Sequence, residues 1–409
     1  MSKLEELIQR YCPDGVEWST IGEVCQKVFA GGTPTSSNSS YYGGDIPWLR
    51  SGEVNFNEIT STEKTITEAG YNSSSARWVE SQSVLVAMTG ATVARSAITM
   101  IELTANQSVC ALVPIREILN YRFLYYWVSK SYLQMKGMAQ GALTSLNLNL
   151  IKSIEIPVPP LPVQEEIVRV LDAFTELQAE LQAEQQKRVQ QYSYYREKLL
   201  NNSSQKGVKE YTVQDLIISL KTGLNPRQSF KLNEPGTSCP YITGKDIFSN
   251  KVNVSEKTDT ISEEVVALIN KRAKLERDLL LFASTGTGTV GRMAIIEEYN
   301  NDWNISETLY AIKPNKSLIS TSFLMHSLYA DYTVSQFTPK ISKGSVPHLK
   351  IVDLLGVRIK VPSLEDQKRI VYMLDRFDTL TNVLLPAEIE KRRQQYEYYR
   401  DQLLTFKRL

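Results

Sequence analysis

The sequence predicts an α+β fold with an internal pseudo-twofold duplication: two similar α/β heads, separated by two long antiparallel helices that pair as a coiled-coil spacer. Three observations carry this expectation. First, "KRVQQYSYYREKLL" from Lys187 to Leu200 returns as "KRRQQYEYYRDQLL" from Lys391 to Leu404, about half the chain away. Second, "IEIPVPPLPVQEEIVRVLDAF" (Ile154 to Phe174) matches "VRIKVPSLEDQKRIVYMLDRF" (Val357 to Phe377) in the same order. Third, fainter echoes keep that order upstream: "IPWLRSGEV" from Ile46 answers "CPYITGKDI" from Cys239, "TVARSAI" from Thr92 answers "TVGRMAI" from Thr289, and "ALVP" ending at Pro114 answers "AIKP" ending at Pro314. A period near two hundred residues lies far outside the roughly 20 to 50 residues of stacked repeats, so the unit that repeats is a whole domain.

In chain order, "MSKLEELIQRY" opens as an amphipathic helix without an apolar h-region. No stretch approaches the roughly 18 apolar residues a membrane span requires, which predicts no membrane partner and a cytoplasmic location. The first head is expected over residues 1–158 and the second over 206–361. Both are rich in Gly, Ser, Thr and Asn with short apolar runs, such as "SVLVAM" at Ser83 and "DLLLFAS" at Asp278, that read as strands. The spacer segments are 159–205 and 362–409. In the first, Ile167, Leu171, Phe174, Leu181, Tyr192, Tyr195 and Leu199 follow an alternating four-three spacing. In the second, Ile370, Leu374, Phe377, Leu384, Tyr396, Tyr399 and Leu403 do the same. Prolines 159, 160 and 162 mark the first start, and Ser363 with Asp366 resembles a capping box at the second. Pro386 predicts a kink or short break, since it removes a helical hydrogen bond. Each seam is about 35 residues, roughly 50 Å at 1.5 Å per residue, longer than one head can cover. The other helix is the natural partner: the first runs from head one to head two and the second runs back. The tyrosines, Tyr195 and Tyr399 among them, are expected to bury their rings in that seam.

Several chemistries are not spelled out. The four cysteines, Cys12, Cys25, Cys110 and Cys239, form no CxxC pair, and the two histidines are His326 and His348, so neither a disulfide framework nor a zinc site is indicated. Gly286, Gly288 and Gly291 have GxGxxG spacing, but a short strand-like run follows, which favours a hairpin-like loop over a dinucleotide site. Asn225-Pro226-Arg227 is only a fragment of a base-methylation motif, and "PDGVEW" lacks the lysine of a nuclease signature. No catalytic residue, metal ligand or cofactor is therefore assigned to this chain. A formal charge of +1 excludes a uniformly basic surface, so a polyanion would have to be met by local patches. Such patches exist. Ile118 to Ile154 carries Arg122, Lys130, Lys136 and Lys152 without a carboxylate, and Tyr332 to Val352 carries Lys340, Lys343, His348 and Lys350 without one. Part of the first gap, "FLYYW", reads as a buried helix face. Lys and Arg neutralise phosphates while Ser, Thr, Asn and Gln reach phosphate oxygens or base edges.

These residues resemble the specificity subunit of a type I restriction-modification system over essentially the whole chain. The most specific signs are the "PVPPLPVQEEI" and "KVPSLEDQKRI" entries, "GGTPT" followed by "YYGGDIPWL", and the final "LPAEIEKRRQQYEYYRDQLLTF". The second copy departs by writing "GLNPRQ" where the first has "GGTPT". The resemblance implies two target recognition domains, each reading one part of a split site on double-stranded DNA. It also implies two methyltransferase subunits that methylate adenine with S-adenosylmethionine, and restriction subunits that use ATP and Mg. On that reading Arg50, Arg95 and Ser145 in the first head, and Lys245, Arg292, Lys340 and Lys343 in the second, are expected to face DNA. A duplicated protein–protein interaction scaffold with a coiled-coil spacer is the alternative; it would not need acid-free heads, and binding to a random duplex library separates the two.

Overall fold

The structure, a computed structural model, describes residues 3–139, 145–201, 207–299 and 302–409, so the expected boundary between residues 205 and 206 lies outside the described residues. The chain divides into two compact units: Met1–Glu180 with Ile389–Leu409, and Leu181–Glu388. Each unit thus joins one head to the start of its own long helix and to the end of the other. No helix among the described residues is long and apolar enough to cross a membrane.

Each head is closed at its base by a two-stranded antiparallel ribbon, Trp18–Thr20 with Glu155–Pro157 in the first and Lys209–Thr212 with Arg358–Val361 in the second. Inside, the apolar runs become central strands. Ser83–Ala87 pairs with Val109–Pro114 on one side and Ser96–Thr99 on the other; Leu280–Ala283 pairs likewise with Leu309–Pro314 and Met293–Ile295. Alternate side chains of a strand point to opposite faces, so a strand covered on both faces is apolar throughout. Val84 and Val86 accordingly enter the cluster beneath the helices, with Phe123 and Leu124, while Leu85 and Ala87 enter a second cluster with Leu49 and Leu103. In the second head Leu280 and Phe282 face the helix layer, and Leu281 and Ala283 face Ile242 and Ile305.

The first long helix spans Leu161–Leu200 without interruption. The second begins at Leu364, where the Ser363 hydroxyl accepts the Asp366 N–H at 3.2 Å and donates to the Asp366 carboxylate at 2.7 Å. The expected break at Pro386 takes a particular form. Leu364–Thr379 is α-helical, Leu380–Leu384 is a π turn, and Leu385–Leu403 is α-helical again. In the second copy Tyr396 comes nineteen residues after Phe377, where in the first Tyr192 comes eighteen after Phe174. A π turn absorbs one extra residue, and widening the turn ahead of Pro386 relieves the clash of its ring with the preceding carbonyls. Leu384, expected in the seam, is left 56% exposed in that turn.

Where each helix begins, one buried glutamine fastens it. Gln164 accepts the Asn120 N–H at 2.8 Å and donates to the carbonyls of Ile118 (2.8 Å) and Pro159 (2.6 Å). Gln367 repeats this with the Ser320 N–H (3.0 Å) and the carbonyls of Leu318 (2.8 Å) and Pro362 (3.1 Å). Asp172 then receives Tyr126 and Arg122 from the first head, and Asp375 pairs with His326 of the second at 2.7 Å.

The seam residues meet inside each unit. In the first, Phe174 stacks on Tyr399 at 5.4 Å, while Gln178 and Tyr396, a turn further along in opposite directions, line one groove, so these segments run antiparallel. In the second, Tyr192 and Tyr195 stack on Phe377 at 6.2 and 5.8 Å, beside buried Leu374. Two expectations need correction. Tyr195 and Tyr399 are not deeply buried but 37% and 41% exposed, because each lays one face on a phenylalanine and its edge against the neighbouring Tyr194 or Tyr398 at the helix margin. Tyr192 takes the deep place, and burial pushes its hydroxyl pKa up to about 12. At the helix ends Leu199 and Leu403 only touch the cores, whereas Leu200 and Leu404 are fully inserted.

Candidate nucleic-acid interface

Three loops meet at the same place in both heads. In the first, the turn Ser51–Glu53 follows the strand Tyr42–Leu49, and the Thr92 hydroxyl from the connection between the central strands donates to the Ser51 carbonyl at 2.9 Å. The third loop precedes the helix Leu148–Lys152: Ser145 forms a backbone bridge with Thr89, and the Leu146 N–H donates to the Met88 carbonyl at 2.8 Å. In the second, the turn Gly244–Asp246 follows Cys239–Ile242, and Gly244 lies so close to Thr289 that an added Cβ would sit 3.0 Å from its Cβ. His348 forms the bridge with Thr285, the Leu349 N–H donates to the Ser284 carbonyl at 2.8 Å, and the Gly286 N–H donates to the Pro347 carbonyl at 3.0 Å.

The glycines of "TGTGTVGR" belong to this second connection. Gly286, Gly288 and Gly291 have φ of +126°, +72° and +89°, and the antiparallel strand Met293–Ile295 follows them, so the loop is a strand-to-strand turn rather than a dinucleotide cradle. The loop beginning "GG" in the first copy and "GL" in the second keeps its first glycine for a physical reason. A Cβ at Gly31 would lie 2.0 Å from the Ala105 carbonyl oxygen, and one at Gly223 would lie 1.7 Å from that of Ile305. The next position differs between the copies: a Cβ at Gly32 would lie 2.2 Å from the Ala76 main-chain nitrogen, whereas Leu224 packs in the cluster of Tyr241 and Ile261.

The candidate residues are distributed unevenly over this geometry. Ser145 and Lys245 are exposed on the meeting loops, and Lys245 makes no ion pair among the described residues. Lys343 is likewise exposed and unpaired among them, while Lys340 stands 3.9 Å from Asp353. Arg50 is held by its own head: its guanidinium pairs with Glu63 and lies 3.9 Å from Glu53, whose carboxylate also accepts the Arg50 N–H at 2.9 Å. Arg95 and Arg292 occupy matching positions but turn inward from the loop tips. Arg95 donates to Asn55 at 2.8 Å and lines a groove with Tyr125, Tyr132 and Tyr396; Arg292 donates to the Ile247 carbonyl at 3.3 Å. Neither has a carboxylate partner among the described residues. The sequence reading passed over Thr285, whose hydroxyl is 2.7 Å from His348 Nδ1. Its one sequence signal was a histidine inside an acid-free segment.

The arrangement agrees with comparisons to known proteins. The model for the type I restriction modification DNA specificity domain matches twice, over residues 13–191 and 205–391. The EcoR124I/EcoR124II specificity subunit of a type I restriction enzyme from Escherichia coli is 32% identical over 70% of this chain and 70% of its own length. The EcoprrI specificity subunit, also from Escherichia coli, is 27% identical over 93% of this chain and 92% of its own. Among solved structures, a chain from a study of complex assembly and conformational transition of the type I R-M system aligns over 96% of this chain and 98% of itself, with TM-score 0.63 and 17% identity. The S subunit of a type I restriction-modification system from M. genitalium aligns over 96% of both chains, with TM-score 0.52 and 15% identity. A duplicated head, a duplicated helix and a duplicated family match give one conclusion: the chain belongs to the type I restriction-modification DNA specificity family.

Proposed function

We propose that each head reads one part of a two-part site on double-stranded DNA, that the long helices hold the two readings at a fixed spacing, and that the chain thereby directs adenine methylation and restriction by partner subunits. As a member of its family the chain is a DNA-recognition subunit and not a catalytic one. S-adenosylmethionine, ATP and Mg then belong to two methyltransferase subunits and to restriction subunits of the same system, and this chain holds no cofactor of its own. The observation that supports the reading most is the meeting of three loops, built twice with the same backbone bonds, carrying hydroxyls in both heads and, among the described residues, the exposed, unpaired Lys245 and Lys343 in the second. A scaffold that bound only proteins would have no need of two such places, and that reading is not favoured.

The division of labour follows from the chemistry. Lys245, Lys340 and Lys343 neutralise phosphates, and Ser145 and the loop hydroxyls reach phosphate oxygens or base edges. Arg50 joins them through the N–H groups its carboxylates leave free, and Arg95 and Arg292 through those not spent on Asn55 and Ile247. Exchanging Lys340 and Lys343 together for alanine is expected to weaken DNA binding and to flatten the dependence of log affinity on log salt by about 1.8, at roughly 0.9 for each phosphate left without its lysine. The measurement is affinity of the full chain with its partner subunits across a salt series. An unchanged slope removes both lysines from the interface.

A further inference from the structure

The two heads present the same backbone rung with different side chains. Thr89 bridges Ser145 in the first, and Thr285 bridges His348 in the second; in each case the next residue donates its N–H to the strand end at 2.8 Å. The scaffold at this point is therefore copied, and what it displays is not. The second display is also fixed. The His348 N–H donates to the Ser342 hydroxyl at 3.0 Å, the Ser342 N–H donates back to the His348 carbonyl at 3.0 Å, and the Thr285 hydroxyl lies 2.7 Å from Nδ1. The ring is half-buried, and Nε2 makes no hydrogen bond among the described residues and remains reachable by solvent. Exposed, unpaired Lys343 belongs to the same short loop.

We infer that His348 is a specificity-determining residue of the second head, reading one base edge through Nε2, and that Thr285 is its positioning residue. The inference rests on the proposed DNA reading and deepens it. With Nδ1 committed to the Thr285 hydroxyl, Nε2 is a donor in one tautomer and an acceptor in the other, and either meets a different major-groove edge: guanine N7 and O6 accept, whereas adenine N6 and cytosine N4 donate. A hydroxyl at the equivalent rung, Ser145, both donates and accepts and is shorter, so the two heads differ in what they demand at this point. Phosphate contact is the competing use of a loop histidine. It carries no base preference, which is how the two are told apart.

The test uses the full chain with its partner subunits, selecting duplexes from a random library. His348→Ala is expected to lower the preference at one base pair of one half-site by about tenfold or more, leaving every other position of the two-part motif as selected by the parent chain. Thr285→Val, which frees the ring, is expected to weaken preference at that same base pair by less. A His348→Ala motif identical at every position overturns the inference, as does a uniform loss of affinity with a flatter salt slope. Should His348→Ala fail to fold, His348→Leu, which fills much of the same space but carries no donor or acceptor, decides by the same criterion. A parent chain that selects no two-part motif would instead sink the DNA reading itself.

Discussion

Replacing Gln164 with methionine is expected to destabilise the first head by roughly 3 to 5 kcal/mol, although the substitution nearly preserves volume and lies at the start of a polar-looking helix. The reason is that this side chain satisfies three main-chain groups at once, the Asn120 N–H and the carbonyls of Ile118 and Pro159, while being wholly buried. Removing it strands groups that water cannot reach, each costing about 1 to 3 kcal/mol. Gln367→Met repeats the experiment in the second head, through the Ser320 N–H and the carbonyls of Leu318 and Pro362. The two effects separate by fluorescence, because Trp18, Trp48, Trp78 and Trp127 lie in the first unit and Trp303 in the second. Urea unfolding of Gln164→Met shifts the transition seen by the first four; Gln367→Met shifts the one seen by Trp303 alone, which requires a tryptophan-depleted background. Equal midpoints for parent and Gln164→Met would show that the three bonds contribute nothing net.

Leu404→Ala is expected to cost the first unit about 2 to 5 kcal/mol, and Leu200→Ala the second unit a similar amount. Both leucines are inserted into a core at the end of a long helix. At Leu404 the neighbourhood is tied further: Lys130 donates to the Leu404 carbonyl at 2.9 Å, and Phe406 lies 6.4 Å from Phe123 between ring centres. The adjacent Leu403→Ala should cost less, since Leu403 is only partly buried, and Tyr399→Ala less again in proportion to its 41% exposure. Thermal and urea unfolding of the four variants gives the order. Leu403→Ala matching or exceeding Leu404→Ala would mean that the helix end is rotated from the orientation described.

Much of this architecture was legible because repetition is a strong signal and strand burial has a plain text. Within "SVLVAM" and "DLLLFAS" the runs 84–88 and 279–283 are apolar at every position because both faces are covered, and they became the central strands. The glycines at 286, 288 and 291 read as a turn because a strand-like run follows them, and they form one. What escaped the sequence reading was residue-level geometry. Gln164 and Gln367 sit among charged neighbours and look like solvated helix surface; only the path of the Pro159 and Pro362 carbonyls makes them buried clasps. In "LL" at 199–200 and 403–404 the spacing alone does not say which leucine turns inward. The one-residue difference between the copies was present in the numbering, but its absorption as a π turn at Leu380–Leu384 depends on how the helix relieves Pro386. At the interface, Arg50 and Lys245 were both candidates at the turn that follows matching strands; Glu53 and Glu63 distinguish them, because they engage the first and no carboxylate among the described residues engages the second.

The central claim is that two heads read two parts of one DNA site independently. The measurement that tests it most directly is the methylated motif written by the reconstituted complex, determined by sequencing modified DNA, before and after Ser19–Val158 is exchanged for the corresponding head of another family member. The parent chain is expected to give a two-part motif with a fixed gap. The exchanged chain is expected to change one half of it, keep the other half base for base, and keep the gap, because the second head and the long helices are untouched. Loss or alteration of both halves together, or a motif unchanged by the exchange, would contradict the account.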